Sequence, residues 1–289
     1  DVDINVLVFD PQDAQALYAG TKNHGLYYSY DSGESWAIAK EIASGPVQAI
    51  AVNPKQKCTL IVGAGNQIKR TDDCSRSFKK VFFGETGDVV IALAYDWFNT
   101  DIVYAALQGG ALLKSMDGGR SFAVAYSFPA AITSLVVDPF DSRIALVGTD
   151  GEYLWKTTDS GATFGSYKNL MRDIDGARQV RRLAVDRGAR GRYLVATRGG
   201  IIVTENNGES WQAVSLLTPT GAALITALAL DAKDGLAMYY TTDKAFYRTK
   251  NGGTNWESIQ LPTRRAAGTI AIHPEKPEWI YLGAKNLQQ

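Results

Sequence analysis

The stretch SYDSGESW at residues 29–36 recurs in altered form five more times along the chain. Every copy has an acidic or amide residue, a Gly or Ser two positions later and a Trp or Phe five positions later. The six acidic or amide residues are Asp31, Asp73, Asp117, Asp159, Asn206 and Asn251. Successive members of this set are 42, 44, 42, 47 and 45 residues apart. A period in this range, kept along the whole chain, indicates a repeat architecture.

Each signature follows the same series of short β segments. An apolar run such as VLVF at residues 6–9 ends at an acidic or amide residue and a polar turn. A second strand such as LYAGT at residues 17–21 and a third such as GLYY at residues 25–28 lead into the signature, and a fourth leaves it. Four antiparallel strands in about 40–45 residues form one blade of a β-propeller. The sequence therefore predicts an all-β propeller in one domain, residues 1–289, with no helix.

The repeat also predicts the number of blades. Blades are expected near residues 3–40, 46–84, 88–127, 131–170, 178–216 and 223–260, with a partial unit at residues 266–289. In that last unit only the first two strands are recognisable, and His273 stands where the other units have an acid or amide. We predict a seven-bladed propeller with an incomplete last blade, and a six-bladed ring with a two-strand tail is the alternative. Residues upstream of Asp1 in a longer precursor are expected to supply the missing strands.

The amino-acid composition limits the kinds of molecule that this chain is expected to bind. The 289 residues include 30 Lys plus Arg and 30 Asp plus Glu, so the formal net charge is zero. Such a chain has no overall field that attracts nucleic acid or an acidic membrane surface. No apolar run reaches the roughly 20 residues that a membrane-spanning helix needs. We expect a protein or carbohydrate ligand on one propeller face, with no nucleic acid and no transmembrane segment. Peripheral or lipid-anchored membrane association is compatible with the sequence.

The recurring signature resembles the Asp-box, also called the bacterial neuraminidase repeat. This repeat marks sialidases, sortilin-type receptors, xyloglucan-degrading endoglucanases and photosystem II assembly factors. The fuller pattern of blade 1, from residues 10–11 (DP) through residues 17–21 to residues 25–31, is most similar to the sortilin and endoglucanase groups. The resemblance implies a propeller whose boxes lie on the outer rim, away from the ligand face. It also implies a secreted or lipid-anchored protein.

The box residues are those that a tight turn requires. An Asp or Asn side chain accepts backbone N–H groups as in an Asx turn, and Gly supplies a positive φ. A calcium ion needs more carboxylates than one box offers. We therefore expect all six boxes to be structural and predict no metal site.

The two cysteines, Cys58 and Cys74, fall in the second unit, where antiparallel strands bring the start of one strand beside the end of the other. This placement predicts a disulfide. A disulfide indicates an oxidising compartment, so we predict an extracytoplasmic protein that is secreted, periplasmic or on the cell surface. The alternative is two reduced thiols in a cytosolic protein.

Only two histidines are present, and neither indicates metal or nucleophilic chemistry. His273 is expected to be structural, whereas His24 lies in a turn that should open onto the ligand face. No His, Cys and carboxylate cluster has the spacing of metal ligands, and no Ser-His-Asp arrangement is evident. We predict no cofactor.

A glycoside hydrolase would need two opposed carboxylates, about 5–9.5 Å apart. The loops of the expected ligand face carry carboxylates at Glu85, Asp88, Asp150, Glu152, Asp173, Asp175 and Asp243. Of these we name Asp150, Glu152 and Asp243 as catalytic candidates, although solvated surface charge is the favoured interpretation. The resemblance argues against a sialidase, because those enzymes need an arginine early in the chain and the first one here is Arg70. The endoglucanases build their cleft between two propellers, and this chain has one.

Arginines are concentrated near the fifth unit. Eight of them lie between residues 172 and 198, namely Arg172, Arg178, Arg181, Arg182, Arg187, Arg190, Arg192 and Arg198. Arginine forms bidentate contacts with carboxylates, so this strip could dock an acidic partner. The residues predicted to bind a ligand or partner are Arg178, Arg182, Arg187, Arg190, Arg192, Arg198 and His24. The alternative is a solvated blade whose arginine stems cover apolar edges.

These observations favour a non-catalytic, secreted or surface-attached scaffold for binding or assembly. Loops on one face and the mouth of the central channel would form its binding surface. A carbohydrate-active glycoside hydrolase that uses loop carboxylates is one alternative, and a photosystem-type assembly factor is the other. A propeller hosts many functions, so the fold alone does not decide among them.

Overall fold

The computed structural model describes residues 2–286, and in this part of the chain each four-stranded sheet is antiparallel. Asp1 and residues 287–289, the end of the predicted partial unit, lie outside the described residues. The chain divides into two compact units, Asp1–Phe128 with Ala271–Lys285, and Pro129–Ile270 with Asn286–Gln289.

The first unit contains three four-stranded sheets, each in chain order. Blade 1 consists of β1 (Ile4–Asp10), β2 (Asp13–Thr21), β3 (Leu26–Ser29) and β4 (Ala37–Ile38). Blade 2 consists of β5 (Val47–Val52), β6 (Leu60–Ala64), β7 (Gln67–Thr71) and β8 (Lys79–Phe83). Blade 3 consists of β9 (Val90–Tyr95), β10 (Val103–Leu107), β11 (Ala111–Ser115) and β12 (Ala123–Ser127).

The second unit contains three further sheets of the same kind. Blade 4 consists of β13 (Ile132–Val137), β14 (Ala145–Thr149), β15 (Leu154–Thr157) and β16 (Gly165–Ser166). Blade 5 consists of β17 (Val180–Val185), β18 (Tyr193–Thr197), β19 (Ile201–Thr204) and β20 (Gln212–Ala213). Blade 6 consists of β21 (Ala227–Leu230), β22 (Met238–Thr241), β23 (Ala245–Thr249) and β24 (Glu257–Gln260).

The last two strands, β25 (Ala266–Ile272) and β26 (Ile280–Lys285), form a two-stranded sheet. The prediction of an all-β propeller with four-stranded antiparallel blades is confirmed. Residues 2–286 contain six complete blades, which matches the six-bladed alternative, and the seven-bladed prediction is not confirmed. The prediction of no helix was wrong in two connections: a 3₁₀ turn at Lys40–Ile42 and a single α-helical turn, α1 (Lys168–Met171), follow the fourth strands of blades 1 and 4. In the described chain no helix is both long and apolar enough to span a bilayer.

Within each unit, the apolar faces of neighbouring sheets pack together. Between blades 1 and 2, for example, Tyr18 and Leu26 pack in one cluster with Ile50 and Val62. In several blades the first side chain of the third strand is buried between two sheets, because it extends to the next sheet. A fully buried side chain of this size contributes about 1.5–3 kcal/mol. The second strands of blades 3, 4 and 5 are thus buried along their whole length, whereas the first strands are mostly half-buried.

A polar contact joins neighbouring blades near the boxes. In four cases, a long side chain donates to the carbonyl of the residue that follows a box acid or amide. The donor and acceptor residues are Tyr281 and Ser32 (2.8 Å), Tyr30 and Cys74 (2.9 Å), Arg70 and Gly118 (3.0 Å), and Lys156 and Asn207 (2.7 Å). All four acceptor residues have a positive φ, from 58° to 72°. The left-handed residue of the box turn therefore presents its carbonyl to the preceding sheet.

The acid or amide that ends each first strand is buried and shapes the turn after it. These residues are Asp10, Asn53, Asp96, Asp138, Asp186 and Asp231, and the buried His273 takes their position in the last unit. In the last unit, the Nδ1 atom of His273 accepts the backbone N–H groups of Glu275 and Lys276, at 3.2 and 3.1 Å. Asp96 Oδ1 accepts two backbone N–H groups in the same way. His273 thus accepts the same pair of backbone N–H groups as the acid that it replaces.

Candidate functional site

The first box shows how these turns are held. Asp31 accepts the hydroxyl of Ser29 at 2.6 Å and the backbone N–H of Ser35 at 2.9 Å on Oδ1, and the hydroxyl of Ser35 on Oδ2. These hydrogen bonds, led by the one from Ser29, hold the pKa of Asp31 at about 2. The indole of Trp36 donates to the carbonyl of Gly33 at 3.1 Å. Both carboxylate oxygens are therefore engaged inside the turn.

The other boxes repeat this arrangement with small changes. Hydroxyl and backbone donors hold the pKa of Asp73 and of Asp159 at about 2 as well. In the amide copies, Asn206 and Asn251 each accept a box hydroxyl and a backbone N–H on Oδ1. Blade 2 has Ser75 where most boxes have Gly, and this serine adopts a φ of 65°. Among the described residues, no group of three His, Cys, Asp or Glu side chains could hold a metal ion.

The predicted disulfide between Cys58 and Cys74 is present and confirmed. The two Cα atoms are 4.1 Å apart, and the N–H of Cys74 donates to the carbonyl of Cys58 at 3.2 Å. The bond joins the turn between the first two strands of blade 2 to the box of the same blade. It therefore fixes the outer end of this sheet.

The arginine strip of the sequence divides between the two ends of blade 5. Arg178 precedes β17 and Arg198 follows β18, at the end of the sheet where the chain enters from blade 4. Arg187 and Arg190 follow β17, at the opposite end, where the box turn of blade 5 also lies, so they are not at the end that was expected to bind a ligand. Six residues of extended chain span about 20 Å, so the two groups cannot contact one ligand side by side.

At the entry end of blade 5, positive and negative charges are nearly balanced. Arg178 donates from Nε to the carbonyl of Gly151 at 2.5 Å, and its Nη2 lies 3.5 Å from Oε1 of Glu152. A Cβ atom on Gly176 would lie 2.1 Å from the nitrogen of Gly199, so two of these loops touch backbone to backbone. The charged residues of the three connections here are Asp150, Glu152, Lys168, Arg172, Asp173, Asp175, Arg178 and Arg198. This end offers no excess of positive charge.

The candidate carboxylates do not form an opposed pair. Asp150 and Glu152 lie in the turn between β14 and β15, and Asp243 lies in the turn between β22 and β23. Blade 5 stands between these two sheets, since β13 contacts β17 and β17 contacts β21. Two sheet spacings of about 10 Å each exceed the separation that a glycosidase uses. In the first unit, Glu85 and Asp88 belong to one loop, where the Asp88 carboxylate accepts the N–H of Glu85 at 2.9 Å.

His24 also lies in the first unit, in the turn between β2 and β3. Its side chain is exposed, and its backbone N–H donates to the hydroxyl of Thr21 at 2.8 Å. The arginines of blade 5 belong to the other unit.

At the opposite end of blade 5, two buried carboxylates organise a pair of turns. Asp138 Oδ1 accepts the N–H groups of Phe140 and Asp141 at 2.7 and 2.9 Å, and its Oδ2 accepts the hydroxyl of Tyr193 at 2.5 Å. Asp186 shapes the turn after β17 in the same way, with N–H groups donated by residues 188 and 189. Tyr193 belongs to β18, so it links the turn of blade 4 to blade 5.

Arg192 is part of this internal framework. Its guanidinium pairs with Asp186 at 2.9 Å and with Glu205 at 2.8 Å, and it also donates to the carbonyl of Gly235. Its side chain is only 7% exposed. Arg192 thus links blades 5 and 6. Its guanidinium N–H groups are engaged by these protein acceptors and are not available to a ligand.

The outer side of the two turns is positively charged. Arg190 donates to the carbonyl of Phe140 at 3.1 Å and lies 5.9 Å from the centre of its ring. Arg143 pairs with Asp141 through two hydrogen bonds of 3.0 and 2.7 Å, which hold the pKa of Asp141 at about 2. We call residues 138–144 and 186–191 the arginine turn patch. Its exposed arginines are Arg143, Arg187 and Arg190, of which Arg187 has its pKa lowered by surrounding protein, and Asp141 is its one carboxylate besides the buried Asp138 and Asp186.

Arg181 and Arg182 lie between the two ends, on the first strand of blade 5. Arg182 donates to the carbonyl of Arg181 at 2.8 Å. Burial, and then the charge of Arg181, lower the pKa of Arg182. The sequence showed that arginines are concentrated in this region. It could not show which of them lie at each end of blade 5 and which lie on β17.

Comparison with known proteins provides relatives of two kinds. The chain is 29% identical, over 321 aligned positions, to a xyloglucanase of Hypocrea jecorina (strain QM6a), which covers 97% of this chain and 35% of the relative. The chain thus spans about a third of the length of that relative. The GH74 xyloglucanase of Xanthomonas campestris has a TM-score of 0.81 at 17% identity, covering 98% of this chain and 51% of that one.

A structure of YCF48 bound to a D1 peptide has a TM-score of 0.75 at 12% identity, covering 99% of this chain and 91% of that one. At these identities the structural matches show the fold alone. A family profile described as photosynthesis system II assembly factor YCF48 matches residues 137–283. Because this segment is just over half of the sequence, the chain belongs to the family described as photosynthesis system II assembly factor YCF48.

Proposed function

We propose that this chain is a non-catalytic binding scaffold that recognises an acidic, extended peptide of a partner protein through the arginine turn patch. The observation that carries the proposal is that three exposed arginines of this patch accompany a single carboxylate that is not buried, since Asp138 and Asp186 are engaged inside the turns. Family membership supports an assembly role, and a solved structure of a related fold is bound to a peptide. The closer likeness to sortilin-type receptors stays a prediction.

The geometry of the patch suits a peptide carboxylate. Its two turns are held by buried Asp138 and Asp186, so the backbone that carries the arginines does not need to be ordered on binding. The Arg190 guanidinium lies over the ring of Phe140, which offers an apolar surface next to the charge. A guanidinium matches a carboxylate through two parallel hydrogen bonds. Such hydrogen bonds to charged groups contribute about 1.5–3 kcal/mol each.

Fluorescence anisotropy with a labelled D1 peptide tests the proposal. Replacing two arginines together, Arg187→Ala with Arg190→Ala, is expected to weaken binding at least tenfold, and raising the salt concentration should weaken binding to the wild-type protein. The matched control is Arg178→Ala with Arg198→Ala, at the balanced end of the same blade, which should bind as the wild type does. Equal losses in both double variants, or no binding to the wild type, would refute the assignment of the patch.

A carbohydrate-active hydrolase is the second candidate, favoured by the 29% identity to a xyloglucanase over nearly the whole of this chain. The separation of Asp150 and Glu152 from Asp243 argues against it. Incubation with xyloglucan, followed by a reducing-sugar assay, distinguishes the two functions. We expect no release of reducing ends. Release that Glu152→Gln or Asp243→Asn abolishes would establish the hydrolase instead.

We also infer an extracytoplasmic location, which the disulfide supports because such bonds persist in oxidising compartments. Alkylation of the native protein before and after reduction, followed by mass spectrometry, tests the location. Two thiols that are blocked until reduction agree with it. Two free thiols in protein purified from its own cells contradict it.

A further inference from the structure

An open cavity of about 500 Å³ lies between the outer strands of blade 4 and the box of blade 5. Its walls come from β15, the box of blade 4, β16 and α1 on one side, and from residues 207–209 on the other. All of these residues belong to the second unit. Small-molecule sites have volumes of about 300–1,000 Å³. This cavity, which we call the blade 4–5 cavity, is therefore large enough for a ligand.

Hydrogen bonds to Asn207 hold the wall of the cavity in place. The Lys156 ammonium donates to the carbonyl and to the side-chain oxygen of Asn207, both at 2.7 Å, and burial lowers the pKa of this lysine. The hydroxyl of Tyr167 donates to the same carbonyl at 3.3 Å. A Cβ atom on Gly208 would lie 2.2 Å from the oxygen of that hydroxyl, so Tyr167 lies directly against the box backbone. The cavity is thus formed before any ligand arrives, which lowers the entropic cost of binding.

The charges of the blade 4–5 cavity cancel. Of the described residues that line it, only Lys156 and Glu209 carry a charge, and the two charges have opposite signs. An anion in the cavity would be repelled by Glu209, and a cation would be repelled by Lys156. The cavity therefore favours a ligand without net charge.

Polar groups that no other described residue engages face such a ligand beside an apolar surface. They are the hydroxyl of Thr158, the side-chain NH₂ of Asn207 and the carboxylate of Glu209. This set includes both donors and acceptors of hydrogen bonds. Next to it lie the ring of Tyr167 and the side chain of Leu170, which is 55% exposed. The arrangement suits a small neutral molecule that has many hydroxyl groups and one apolar face.

We propose that the blade 4–5 cavity binds a neutral saccharide. The carboxylate of Glu209 accepts sugar hydroxyl groups, the amide of Asn207 donates to them, and the C–H face of the sugar ring packs on Leu170 and Tyr167. One carboxylate lines the cavity, and a glycosidase uses two, so the site binds the sugar without cleaving it. This site uses none of the arginines of the arginine turn patch and goes beyond the peptide-binding function proposed for that patch.

Saturation-transfer difference NMR with four neutral disaccharides tests the proposal. The probes are cellobiose, maltose, lactose and mannobiose, which differ in linkage and in the configuration of their hydroxyl groups. We expect saturable binding of at least one of them to the wild-type protein. Absence of saturable binding by all four overturns the proposal.

Two pairs of variants locate the site for the disaccharide that binds. Glu209→Gln should weaken binding about fivefold, because hydrogen bonds to a charged acceptor become bonds to a neutral one. The matched control is Glu34→Gln, since Glu34 has the position of Glu209 in the first box. Leu170→Ala should weaken binding about threefold by removing apolar contact area. Its control is Leu236→Ala, in blade 6, where the leucine is 54% exposed.

These four positions are exposed, so the variants are expected to fold as the wild type does. Weaker binding in both cavity variants, with wild-type binding in both controls, supports the proposal. Wild-type binding in either cavity variant, or an equal loss in a cavity variant and its control, overturns it.

Discussion

The hydroxyl of Tyr281 donates a 2.8 Å hydrogen bond to the carbonyl of Ser32, a residue 249 positions earlier in the chain. Tyr30 makes the same contact with Cys74, one repeat further on. The acceptor in both cases is the left-handed residue that follows the box acid. The box turn therefore has two roles: it closes a hairpin, and it offers a carbonyl to the neighbouring sheet.

Removing the Tyr281 hydroxyl should lower stability without changing the fold. We expect Tyr281→Phe to reduce the free energy of unfolding by about 1 kcal/mol, because one hydrogen bond is lost and the ring still packs on Phe9. Thermal unfolding followed by circular dichroism would show a fall in Tm of about 2–4 °C. Tyr30→Phe removes the same kind of contact between blades 1 and 2 and should cost a similar amount. No change in either variant would mean that water replaces the hydroxyl fully.

The sequence could predict the sheets because each box repeats the residues of one turn, and the turn determines where the strands lie. It also predicted the Cys58–Cys74 bond, since both cysteines fall within one blade. It could not predict that Arg192 is internal, because Glu205 and Gly235, which it contacts, come from later segments of the chain. The sequence also could not show that Arg178 and Arg190 lie at opposite ends of blade 5. They are only 12 residues apart in the chain, but the extended strand β17 lies between them.

The disulfide should contribute strongly to stability. For cysteines 16 residues apart, the chain-entropy model gives about 3 kcal/mol. We expect the double variant Cys58→Ser with Cys74→Ser to lose about 2–4 kcal/mol in urea unfolding. Reduction of the wild type should cause a comparable loss, and the reductant should have no effect on the double variant. Equal midpoints for the oxidised and reduced wild type would contradict this expectation.

The box carboxylates predict acid sensitivity. The pKa values of Asp31, Asp73 and Asp159 lie at about 2 in the folded chain, below the ordinary value of 3.8. A lowered folded pKa means that the contribution to stability is present above the unfolded value and is lost as the pH falls from about 4 to about 2. We expect Tm to fall over this range. The triple variant with Asn at the three positions should lose part of that dependence, since Asn206 and Asn251 already serve as box residues.

Asp10 should respond to pH in the opposite direction. It is 1% exposed at the end of β1, and burial raises its pKa above 3.8. Its Oδ1 accepts the N–H of Gln12 at 2.8 Å, and the backbone N–H groups of Gln12 and Cys58 offset the burial only in part. Asn53 has the same position in blade 2 and accepts the equivalent backbone N–H groups through its amide oxygen. An amide therefore meets the needs of this turn without a buried charge.

We expect Asp10→Asn to stabilise the protein by about 1 kcal/mol at pH 7, where the wild type must keep a buried carboxylate ionised. A raised folded pKa means that ionisation costs stability at neutral pH, and that this cost disappears as the pH falls through the folded value towards 3.8. The gap in Tm between the variant and the wild type should therefore close in acid. Asn53→Asp is the reverse change and should destabilise at pH 7, with a gap that also closes in acid. A loss of stability in Asp10→Asn at pH 7 that disappears in acid would instead mean that the turn requires a negative charge.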